Sequence, residues 1–179
     1  MKRHRRRISP NHPCLHRPTS AGRAPAPTPR TLHLIDVDNL LGDPTTTNAD
    51  DIDLVFRSYR HAARFTDGDH AVVATGHHAD HVLAIELAWP QVQHRRARGP
   101  DGADLALLEA ADWAATSGRF ERVVIGSGDR IFLVALDRLR AADIQVEFVA
   151  RARSLATALA VRARGSIHYL RLPALAPAG

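Results

Sequence analysis

The sequence predicts an α/β domain: a central, mostly parallel sheet with helices on both faces. Apolar runs of strand length alternate with segments whose apolar residues recur at helical spacing, the signature of repeated βαβ units. One run, Val123-Val124-Ile125, is apolar without alternation and implies a strand buried on both faces. The length of 179 residues suits one domain with a sizeable core.

The elements follow in order. Leu32, Leu34 and Ile35 make a short strand, and the chain places Asp36, Asp38 and Asn39 together at its carboxyl end. Gly42 to Thr47 reads as a loop, after which Asn48 or Asp50 can cap a helix reaching about Phe65, with Ile52, Val55, Phe56, Tyr59 and Ala63 as its buried stripe. Asp67-Gly68-Asp69 turns the chain into a strand over His70 to Thr75. A helix spans Ala79 to Trp89 and stops at Pro90, and Gln91 to His94 forms a short edge strand. Arg95, Arg96 and Arg98 then precede Gly99-Pro100.

Gly99 to Ala115 passes from loop into helix with Asp104 at its amino end, where a carboxylate complements the helix dipole or caps the first turn. That helix stops near Gly118, and the strand Arg122 to Gly126 runs into Gly126-Ser127-Gly128-Asp129. A helix over Arg130 to Ala142, a strand over Ile144 to Val149, a helix over Ser154 to Val161 and a strand over Ser166 to Leu170 complete the alternation. The domain is therefore expected over residues 31–172, between a basic tail at 1–30 and a frayed tail at 173–179.

Charge is unevenly spread. The formal net charge is +5, yet residues 1–30 hold eight basic residues and no acid, so the remainder stands at −3. The high pI belongs to that Pro- and Arg-rich tail, which is expected to be disordered, and says little about the fold's own partner. Cys14 is the sole cysteine and lies in the tail, which excludes a disulfide framework or a thiolate-rich metal site and fits a reducing, cytoplasmic setting. No apolar run approaches the roughly 18 to 20 residues of a membrane span.

Carboxylates gathered at the edge of an apolar strand repel one another and resist desolvation, so they call for a cation or a hydrogen-bonding cradle. Asp36 and Asp129 each follow a strand end, and Asp104 begins a helix. If the two strands are neighbours where the strand order reverses, all three converge on one crevice. Otherwise they are unrelated caps. Such hard oxygen donors select Mg²⁺ or Mn²⁺ over softer metals. His77 and His81 sit four apart but find no third ligand of matching spacing.

Three segments, LIDVDN, GPDGADLALLEAAD and RVVIGSGDRIF, resemble in order and separation the NYN family of PIN-like nucleases, over roughly residues 31–171. The resemblance implies a PIN-like Rossmannoid three-layer sandwich and a metal-dependent ribonuclease acting on RNA with Mg²⁺ or Mn²⁺. It assigns Asp36, Asn39, Asp104 and Asp129 to catalysis, the three acids also as metal ligands, with Asp38 and Asp101 in reserve. Arg95, Arg96 and Arg98 are expected to cradle the polyanion, and a homodimer is an allowed assembly. One position departs from the family pattern: many members read Ser-Gly-Asp-Ser-Asp-Phe, whereas here the second acid is replaced by Ile131. That leaves open an alternative, a catalytically weakened RNA-binding or protein-interaction module on the same fold. Asp36-Val37-Asp38 also resembles the nucleophile motif of haloacid-dehalogenase-type phosphatases, but the only lysine is Lys2 in the tail, and Asp129 is not followed four residues later by an acid.

Overall fold

The computed structural model describes residues 30–42, 48–76, 79–97, 99 and 101–172. The tails, except for Arg30 itself, lie outside the described residues, as does most of the expected loop after Leu41. Six strands, β1 (Thr31–Asp36), β2 (His70–Thr75), β3 (Gln93–Arg96), β4 (Arg122–Gly126), β5 (Gln145–Ala150) and β6 (Ile167–Tyr169), form one sheet in the order β3-β2-β1-β4-β5-β6. Every pairing is parallel. The order reverses between β1 and β4, where Ile35 pairs with Gly126, so the two strands that end in Asp36 and lead to Asp129 are neighbours at the switch point.

Helices cover both faces, giving three layers. On one side, α1 (Val37–Leu41), α2 (Ala49–Ala63) and α3 (Ala79–Ala88) pack through Leu40, Ile52, Phe56, Tyr59 and Ile85 onto Ile35, Val73, Val124 and Val149. On the other, α4 (Gly102–Ser117), α5 (Leu133–Ala141) and α6 (Thr157–Arg162) bring Leu107, Ala111, Leu136 and Leu159 against Leu34, Val123, Ile125 and Phe148. The alternation of side chains along each strand divides the two cores. β1 is buried at every position, as a central strand covered on both faces must be.

Asn48 caps α2 in a reciprocal capping box with Asp51, as its position before the apolar stripe predicts. Other boundaries move. The edge strand β3 begins two residues later than expected, which places Arg95 and Arg96 inside it. The expected helix after Asp129 opens as a 3-10 turn at Arg130–Phe132, and α6 starts only at Thr157. The short helix α1 was not foreshadowed at all. Five residues carry too little periodicity to register, and its existence depends on Asp36 capping it.

Below the acidic end, two polar networks hold the sheet. His33, fully buried in β1, faces the Tyr59 hydroxyl from Nδ1 at 3.0 Å and Asp69 from Nε2 at 3.4 Å, and burial pulls its pKa down to about 4. On β5, Glu147 accepts bonds from Arg122 and Arg64, and His168 Nε2 lies 3.0 Å away. Since Arg122 also donates to the Ala63 carbonyl, the knot ties α2, β4, β5 and β6 together.

Candidate functional site

At the carboxyl ends of β1, β2 and β4, Asp36, Asp38, Asn39, Asp101, Asp104 and Asp129 line one crevice of about 410 Å³, floored by Gly76, Gly99, Gly102 and Ala103. Each side chain is held by an element end. Asp36 is the last residue of β1 and the N-cap of α1: its Oδ1 accepts the Asn39 N–H at 3.1 Å, and its Oδ2 accepts the Ser127 hydroxyl at 3.1 Å. Asp38, in the first turn of α1, accepts from the Thr75 hydroxyl at 2.9 Å and from the Gly76 N–H at 2.6 Å, which ties α1 to the end of β2. An added Cβ at Gly76 would stand 2.9 Å from Asp38 Oδ2, so a larger residue there would push that carboxylate aside.

Asn39 turns the other way. Its Oδ1 accepts the Gly128 N–H at 2.9 Å, tying α1 to the loop after β4 and leaving the amide nitrogen as its donor. Asp129 caps the 3-10 turn through the Ile131 N–H at 2.9 Å, while its own N–H donates to Ser127 Oγ at 3.2 Å. The fully buried Ser127 hydroxyl therefore links Asp129 to Asp36. Asp101 takes the N-cap position of α4 with φ at 58°, in the left-handed region that Asp tolerates better than most residues.

Asp104 differs from its neighbours. Its Oδ1 is buried and accepts no hydrogen bond among the described residues. Burial, then the charges of Asp129 and Asp101, push its carboxyl up to about 6, while a hydrogen bond with the Asp36 carboxyl pulls the other way. Burial likewise pushes Asp36 up to about 7, with the Asp104 charge adding to it and the Asn39 N–H pulling the other way. Two carboxyls that each resist ionisation beside the other describe a pocket short of positive charge.

The sequence-predicted acids and Asn39 thus meet around one crevice, and Arg95 and Arg96 do not line it. Arg95 donates to the Ala106 carbonyl and to Glu109, and Arg96 donates to Glu86 at 2.6 Å, so both guanidiniums already face carboxylates. Arg98 and His77 lie outside the described residues. Ile131, standing where relatives of the resembled family carry an acid, packs half-buried against the core beside α4 and α5. Thr75, Gly76 and Ser127 are the residues that sequence reasoning passed over or took for turn chemistry. Only the strand-end position of Thr75-Gly76 and the Gly-Ser-Gly-Asp context of Ser127 hinted at them.

Among the described residues, no three His, Cys, Asp or Glu side chains stand close enough to enclose an ion as they are. A larger cavity, about 830 Å³, opens at the amino ends of β1 and β2 between Trp89, Trp113, Phe65 and Phe120. It lies away from the switch point, where ligands of open parallel sheets bind. No family model, curated protein or solved structure matched the chain when it was compared with each. Among the described residues, no helix is long and apolar enough to cross a membrane.

Proposed function

We propose that the chain is a Mg²⁺- or Mn²⁺-dependent ribonuclease, the activity that its resemblance to the NYN family implies. The observation that carries the reading is the buried, unpartnered Asp104 carboxylate oxygen at a crevice that also gathers Asp36 and Asp129. A buried acceptor without a donor costs about 1 to 3 kcal/mol, more when it is charged, and a cation is the partner that offsets both the orphan oxygen and the repulsion. Asp36, Asp104 and Asp129 would hold the ion, directly or through the waters that Mg²⁺ keeps, with Asp101 at the rim. Asp38 is committed to Thr75 and Gly76. When bound, the ion supplies Lewis-acid charge at the phosphodiester and a water of lowered pKa.

The chain's own groups position the substrate. The Asn39 amide nitrogen can donate to a phosphate oxygen, since its carbonyl is occupied by Gly128. The amino end of α4 adds a partial positive charge at the same mouth. Ser127 ties the Asp36 carboxylate to the backbone N–H of Asp129.

The test is cleavage of single-stranded and structured RNA with Mg²⁺ or Mn²⁺ and with chelator, for the parent and Asp129→Asn. The amide keeps the shape and removes one charged ligand, so metal-dependent turnover should fall at least 100-fold while RNA binding persists. One observation favours the alternative of an RNA-binding module: Ile131 is turned into the core and supplies no further ligand. For such a module the parent would show no metal-dependent turnover, and Asp129→Asn would leave RNA affinity unchanged or raise it.

A further inference from the structure

An acidic crevice repels the phosphates it is meant to receive, so a polyanion must be held by cations on its flank. Several surface arginines already face acids: Arg57 faces Asp53, Arg138 faces Asp112, and Arg162 faces Asp137. The arginines of β3 do the same, through Glu109 and Glu86. Others, such as Arg119, Arg140 and Arg164, face no carboxylate among the described residues, and what sets two further acid-free arginines apart is their place beside the crevice. Arg130, directly after Asp129, is exposed, and so is Arg153 in the loop after β5. Neither pairs with a carboxylate among the described residues.

That loop is seated against the site. The Ala156 N–H donates to the Gly128 carbonyl at 2.9 Å. The Ser154 carbonyl lies so near Gly128 that a Cβ there would come within 2.4 Å of it. Arg153 is therefore carried to the flank of the Gly128–Asp129 turn from which Arg130 projects. Arg151, half-buried, donates to the Leu41 carbonyl, fixing the start of the same loop to the end of α1.

We infer that the backbone of single-stranded RNA crosses the rim formed by the turns after β4 and β5, with Arg130 and Arg153 taking its phosphates, and that the arginines of β3 take no part. The choice of RNA as ligand rests on the nuclease reading of the crevice. The placement of the contacts rests on the unpaired guanidiniums and the docked loop.

The experiment is fluorescence anisotropy of a labelled single-stranded RNA 20-mer, titrated in chelator from 50 to 300 mM salt. Arg130→Gln with Arg153→Gln is compared with Arg95→Gln/Arg96→Gln and with Arg164→Gln, an exposed, acid-free arginine before β6 at the opposite end of the sheet. Each lost phosphate contact should lower the slope of log affinity against log salt by about 0.7 and weaken binding roughly five-fold at 0.1 M salt. The rim pair should therefore lose about 25-fold, and the other variants less than two-fold. A slope unchanged in the rim pair, an equal loss in Arg164→Gln or the β3 pair, or a parent that does not bind the RNA would overturn the inference. Because no cleavage is read, a protein that binds by this rim yet never hydrolyses RNA would sink the nuclease reading and leave the placement standing.

Discussion

Replacing Asp104 by Asn should stabilise the metal-free protein at pH 8 and leave it unchanged at pH 3. Asp36 is moved from 3.8 to about 7, which costs roughly 4 kcal/mol of folding stability at pH 8. Burial is the largest cause and persists in the variant. The Asp104 charge is a smaller one, so its removal returns about 1 to 2 kcal/mol, while the lost carboxylate at the amino end of α4 gives back about 0.3 to 1 kcal/mol. The net gain is about 1 kcal/mol, or roughly 2 to 4 °C for a domain of this size. The pH dependence follows from the signs. Both carboxyls have folded values above their unfolded ones, so the stability tied to their protons is fully present below about pH 4 and is lost as pH rises through 6 and 7. At pH 3 both are protonated in the folded and the unfolded chain alike, and acid and amide differ little. Thermal unfolding with chelator at the two pH values reads this directly. Adding Mg²⁺ at pH 8 should then raise the parent's midpoint and barely move the variant's. A variant that melts lower than the parent at pH 8 would show Asp104 to be an ordinary helix-start carboxylate, and an equal gain at both pH values would show that charge is not the cause.

Ile131→Asp tests the position where the family resemblance fails. Because Ile131 packs against the core beside α4 and α5, the acid should cost about 2 to 3 kcal/mol in a denaturant melt and should not raise the cleavage rate. Glu147→Gln breaks the knot with Arg122, Arg64 and His168 and leaves Arg122 largely buried without its partner, a loss of roughly 3 kcal/mol. Burial pushes the Glu147 carboxyl up, but the bonds and charge of Arg122 outweigh it and hold it at about 2, so this stability is present above pH 4.5 and disappears as pH falls through 2. Parent and variant midpoints should therefore converge in strong acid.

The sheet was legible in the sequence because burial writes itself into composition. β4 carries Val123, Val124 and Ile125 in a row and β1 carries Leu32, Leu34 and Ile35, and the Asp residues that end or follow them would meet only if these strands were neighbours, as they are. The six residues around the crevice were visible for the same reason: a carboxylate at the edge of an apolar run is conspicuous. Their partners were not. Thr75 and Ser127 reach Asp38 and Asp36 across the sheet, from 37 and 91 residues away, and nothing local in either distinguishes a bridging hydroxyl from a turn. The pairing of Arg95 with Glu109 was hidden likewise, since it depends on where the edge strand starts against α4, and short edge strands carry weak boundary signals. A run of three arginines looked like a cradle because sequence shows charge without showing what neutralises it.

Capping and ligation were rival readings of these acids, and the geometry makes them compatible. Asp36 and Asp129 each give one oxygen to the N–H of a turn they start, and Asp38 gives both of its oxygens to the end of β2. At Asp36 a bond of this kind favours the ionised form and so opposes the burial that drives its carboxyl toward neutrality. Such bonds also fix rotamers before any ligand arrives, which removes a reorganisation cost at the moment of binding. At Asp104 one buried oxygen has no donor, and a hydrogen bond with the Asp36 carboxyl only partly offsets the burial. A crevice needed only for folding would gain by replacing that residue. A crevice kept for a cation would hold its one uncompensated oxygen where neighbouring acids surround it, and there Asp104 stands.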